Sequence, residues 1–119
     1  KIVDALAEDH DETVLAVAKP LGQTIRQIDS FFALVADNSG LQLLAQTFEN
    51  AVKAKLEDTR WSHLPVLSVA APVRTGGLNG ATHFCHIPAG TIHLRDLDKL
   101  YSFPDTLFAL LITGKALLV

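Results

Sequence analysis

In the first half of the chain, apolar residues recur at helical spacing. Leu21, Ile25, Ile28, Phe32 and Val35 step by four and three, which predicts one apolar stripe along a helix. Pro20 suits the first turn of that helix, where a missing N–H costs nothing. Asp37-Asn38-Ser39-Gly40 breaks the pattern, and Asn38 or Ser39 can cap a second helix carrying Leu41, Leu44, Phe48, Val52 and Leu56. Before Pro20 the pattern predicts one or two shorter helices, around Ile2–Glu8 and Glu12–Ala18. The second half reads as strands: Pro65 to Ala70, Thr82 to Ile87, Thr91 to Arg95, Leu107 to Ile112 and Lys115 to Val119. Arg74 to Gly80 is a glycine-rich loop, and Thr113-Gly114 is a two-residue hairpin turn. A helical half followed by a strand half predicts an α+β fold in a single domain, residues 1–119, with subdomains at about 1–58 and 64–119.

Composition narrows the class. The chain has 119 residues, of which 49% are apolar and 19% charged, so a disordered tail is excluded. No apolar run approaches the ~20 residues a membrane helix needs, so no membrane partner is expected. The first ten residues lack the apolar stretch of a signal peptide. The absence of methionine suggests a piece of a longer protein, and the single cysteine, Cys85, suggests a reducing, intracellular setting. The net charge of −3 is unevenly spread: residues 1–60 sum to −4 and residues 61–119 to +1.

Candidate chemistry is sparse. His83, Cys85, His86 and His93 are close in sequence, but alternation on a strand puts His83 and Cys85 on one face and His86 on the other, against the convergence a zinc site requires. No phosphate loop, nucleophile elbow or zinc-protease helix is present, so no enzyme activity, cofactor or metal is expected. Arg74, Arg95, Lys99 and Lys115 remain as a possible basic face.

Three stretches carry a resemblance: Leu21-Gly-Gln-Thr-Ile-Arg-Gln-Ile28, Phe31 to Ser39, and Leu41-Gln-Leu-Leu-Ala-Gln-Thr-Phe48. With His86-Ile-Pro88, His93-Leu-Arg95 and the ending Phe108 to Val119, they are similar in order to the C-terminal domain of the filovirus polymerase cofactor, which binds double-stranded RNA and inhibits interferon. The resemblance implies a four-helix subdomain packed on a small mixed β-sheet. It implies that Ile25 and Val119 cap a duplex end, with Arg26, His93, Arg95 and Lys99 on the RNA backbone. It also implies oligomerisation through a missing N-terminal region and a place in the host cytoplasm.

The family's other bases are replaced, by Ala89 after Ile-Pro and by Leu34 and Asp37 on the helical half. The expectation is therefore a viral polymerase cofactor-like domain working through nucleoprotein or polymerase contacts, with weak double-stranded-RNA binding. The alternatives are a full interferon antagonist that caps duplex ends, or an unrelated α+β interaction module.

Overall fold

The computed structural model describes residues 2–71, 74–76 and 80–118. Its elements in chain order are α1 (Ile2–Val17), β1 (Pro20–Thr24), β2 (Ile28–Asp29), α2 (Ser39–Leu56), β3 (His86–Ile87), β4 (Gly90–His93), α3 (Leu94–Leu100) and α4 (Gly114–Leu117). The α+β class holds. The helices are spread along the chain, however, and both small sheets are antiparallel: β1 pairs with β4, and β2 with β3. Each sheet thus joins a strand of the first half to one of the second.

Helix α2 forms where its stripe predicts. Leu44 is buried, and Leu41, Phe48, Val52 and Leu56 are half-buried. The Asn38 side chain accepts from Leu41 N–H at 3.0 Å, satisfying one of the donors a helix start leaves open. Asn38→Ala is expected to lower stability by about 1 kcal/mol, read as a lower urea midpoint. An unchanged midpoint would show that the cap does no work.

The other stripe does not become a helix. Residues 20–24 are a strand, and residues 31–35 are turns. Of the stripe only Ile28 is buried, while Ile25 is 92% exposed. The local reason is side-chain competition for the backbone. Thr24 Oγ1 donates to Arg26 O at 2.7 Å and accepts from Arg26 N–H at 3.3 Å. Asp29 Oδ1 takes Phe31 N–H at 3.2 Å. These bonds close turns where helix bonds would run. Upstream of Pro20 there is one helix, α1, which runs through both of the stretches expected to be helical.

The strand expectations are met in part. Thr82 to Ile87 supplies β3 and a single antiparallel bridge between Thr75 and Phe84. Thr91 to Arg95 supplies most of β4 and then turns into α3. Asp96 starts that helix: Oδ2 accepts His93 N–H at 2.9 Å and Oδ1 accepts from Lys99 Nζ at 3.0 Å. Burial alone would raise the Asp96 carboxyl, but these bonds and the Lys99 charge hold it below the ordinary carboxylate value.

Pro65 to Ala70 alternates between exposed and half-buried positions without entering a sheet. Leu107 to Ile112 is irregular and exposed. The expected hairpin at Thr113-Gly114 is absent, because Thr113 instead precedes the short helix α4. This open stretch helps to set the radius of gyration at 18.3 Å, against about 13–14 Å for a compact chain of this length. Among the described residues no helix is long and apolar enough to cross a membrane.

The core is small. Ile28, Leu44, Cys85, Ile87 and Leu100 are buried together, with Phe48, Ala70, Ile92 and Tyr101 packed against them. Ile28 and Ile87 face each other across β2 and β3.

Candidate functional site

The β2–β3 pair separates core from surface by alternation. Ile28 and Ile87 are opposite one another and buried; Asp29 and His86 are opposite one another on the other face. Cys85 goes inward with Ile87, and Phe84 goes outward with His86. The expected split of Cys85 from His86 is therefore seen. Burial pushes the Cys85 thiol up, with Lys99 and Arg74 pulling the other way, so the thiol stays protonated.

Three rings meet on the outer face. The Phe31 and Phe84 centroids lie 5.4 Å apart with planes tilted by 54°, and Phe31 and His86 lie 5.8 Å apart at 33°. Phe31 is 38% exposed. Gly76 lies under Phe84: a Cβ there would come within 2.7 Å of the ring, and the residue has φ +72, which glycine adopts readily.

Ser30 ties the three segments behind this face. Its hydroxyl donates to Arg74 O at 2.5 Å and accepts from Cys85 N–H at 2.8 Å, while Ser30 N–H reaches Cys85 O at 3.1 Å. Asp29 is fixed on the rim. Its N–H donates to Ser39 Oγ at 2.9 Å, and its Oδ2 accepts from Gln27 Nε2 at 2.9 Å. The arrangement offers flat apolar surfaces for stacking and one rigid acceptor at their edge.

The residues expected to contact RNA are dispersed. Ile25 and Arg26 lie just beyond the Thr24–Gly90 end of the β1–β4 ladder, and His93 lies at its Pro20 end. His93 and Lys99 both turn to Asp96, with His93 Nδ1 3.4 Å from its carboxylate. Arg95 is exposed on α3. Arg74 is held by the Asp98 carboxylate at 3.2 Å and its carbonyl at 3.3 Å. Val119 lies outside the described residues. Among the described residues no group of three or more His, Cys, Asp or Glu side chains converges.

Sequence reasoning passed over Phe31, Phe84 and Asp29. The usable signal was the alternation Phe84-Cys85-His86-Ile87, which sets aromatic residues on one face and apolar ones on the other.

No protein-family model and no solved structure matches the chain. Curated bacterial proteins do. The trifunctional nucleotide phosphoesterase protein YfkN of Bacillus subtilis is 33% identical over 113 residues, covering 95% of this chain and 8% of that protein. The 2′,3′-cyclic-nucleotide 2′-phosphodiesterase/3′-nucleotidase of Salmonella typhimurium is 36% identical over 121 residues, covering 97% of this chain and 18% of that protein. Its counterpart from Yersinia enterocolitica is 31% identical over 119 residues, covering 95% and 18%. The chain thus spans less than a fifth of the length of these relatives.

These similarities overturn the viral resemblance. They run through nearly the whole chain, whereas the viral likeness rested on short apolar patterns. With it go the polymerase-cofactor and interferon-antagonist functions, the nucleoprotein, polymerase and double-stranded-RNA partners, and the host cytoplasm. The expectation of no enzyme activity is corrected too, since the relatives are named as enzymes.

Proposed function

We propose that this chain is a nucleotide-binding segment of a bacterial nucleotide phosphoesterase, and that the Phe31–Phe84–His86 face stacks the base. The observation that carries this reading is the 36% identity through 97% of the chain to an enzyme named for cyclic nucleotides and 3′-nucleotides. The three-ring outer face supports it, because every base has a flat π surface and stacks on aromatic side chains without a sequence requirement. The segment's contribution to hydrolysis is then to bind and orient the nucleoside, which holds its phosphate in register for attack. The chain is proposed to act as one unit, a view supported by the way both sheets join its two halves.

The test is Phe84→Ala in the full-length protein, assayed on 3′-nucleotides. Stacking is worth about 1–3 kcal/mol per base, so KM is expected to rise about tenfold with kcat little changed. An unaltered KM would remove this face from the binding site.

A further inference from the structure

Asp29 is locked in place on the outer face, and that rigidity suits a reader of hydrogen bonds. Its backbone N–H is tied to Ser39 Oγ at the start of α2. Its two carboxylate oxygens each accept one bond, from Phe31 N–H and from Gln27 Nε2. A carboxylate has about four acceptor positions, so each oxygen keeps one open. Asp29 sits opposite His86 and two residues from Phe31, at the edge of the three rings.

We propose that Asp29 selects the base of the bound nucleotide, favouring guanine and disfavouring uracil. This rests on the reading that the aromatic face stacks a nucleobase. Coulomb repulsion turns the ligand's phosphate away from the carboxylate and its base edge toward it. A carboxylate at neutral pH only accepts. Guanine presents a ring N–H and an amino group side by side, matching the two open acceptor positions. Uracil presents a single N–H between two carbonyl oxygens, which the carboxylate repels. Sites built on such polar matching discriminate more strongly than apolar pockets, because a mismatch leaves a desolvated group unpaired.

The experiment compares kcat/KM of the full-length protein for guanosine 3′-monophosphate and uridine 3′-monophosphate. Both are measured on wild type, Asp29→Asn and Phe84→Ala. Wild type is expected to favour the guanine nucleotide. In Asp29→Asn the guanine-to-uracil ratio is expected to fall about tenfold, since the amide gives up one acceptor and gains a donor that suits a ring carbonyl. The ratio comes from one preparation, so it is insensitive to the fraction that folds.

Phe84→Ala is expected to weaken both nucleotides alike. A wild type without guanine preference, or an unchanged ratio in Asp29→Asn, overturns the role of Asp29 while a Phe84→Ala defect keeps the stacking reading. If Phe84→Ala also leaves both nucleotides unaffected, both readings fall.

Discussion

Ile87→Ala is expected to destabilise the protein by about 3 kcal/mol. Ile87 is 1% exposed and is, with Cys85, one of the two most deeply buried side chains among the described residues. It faces Ile28 across the two-residue pairing of β2 and β3, and it sits in the same cluster as Leu44 and Leu100. Truncation removes three carbons from a packed interior and leaves a cavity, so the loss is the transfer free energy plus the cavity cost. Among the described residues the core holds five buried side chains with four half-buried ones around them, so few neighbours can close the gap. Because domains of this size are stable by about 5–15 kcal/mol, the loss is a large fraction of the total. Urea unfolding reads it as a lower midpoint at constant slope. Ile87→Val, which removes one methyl group, should cost about 1 kcal/mol. A loss under about 0.5 kcal/mol for the alanine variant would mean that Ile87 is not a core residue.

Gly40→Ala is expected to destabilise by about 2–3 kcal/mol, opposite in sign to the usual effect of this change in a helix. Alanine is ordinarily the better helix former by about 1 kcal/mol. At Gly40, however, an added Cβ would lie 2.6 Å from Asp29 O and 3.3 Å from Leu100 Cδ1. The first of these is backbone, which cannot swing aside as a side chain can. The start of α2 would have to lift away from β2, stretching the Ser39 Oγ bond to Asp29 N–H. Thermal unfolding decides the matter by sign: a higher Tm for Gly40→Ala would refute the close approach. Asp29 stands on the rim of the aromatic face, so if that face stacks a nucleobase as proposed, the same variant should also raise KM for 3′-nucleotides.

Helix α2 was legible in the sequence because three signals agreed: the stripe from Leu41 to Leu56, the Asn38 cap and the preceding turn residues. The stripe from Leu21 to Val35 has the same spacing but no such support. Pro20 and Gly22 suit a strand or turn as well as a helix start, and Thr24, Asp29 and Ser30 all carry side chains that bind nearby or distant backbone. Spacing alone could not reveal that β4, some 70 residues on, would pair with Pro20 to Thr24. The same blindness hid the aromatic face. Phe31 and Phe84 lie far apart along the chain, and only the β2–β3 register brings their rings together. The likeness to a viral domain drew on the very apolar stripe that fails to fold as a helix, which is why order and spacing misled together.

The Ser30 hydroxyl joins residues 44 and 55 positions further along the chain. During synthesis at about 5–20 residues per second, Ser30 and the β2 edge leave the ribosome roughly three to eleven seconds before Cys85. For that interval Ile28 and the β2 backbone have no strand to receive them, and an unpaired apolar edge is an invitation to the wrong neighbour. Helix α2 is made within that interval, and in the folded chain it covers one side of β2, through the close approach of Gly40 to Asp29 and the bond from Asp29 N–H to Ser39 Oγ. The glycine that lets helix and strand touch so closely therefore bears on synthesis as well as on the finished fold. Its loss should lower the yield of folded protein most at low translation rates, where the interval before Cys85 emerges is longest, and by more than the equilibrium penalty alone would suggest.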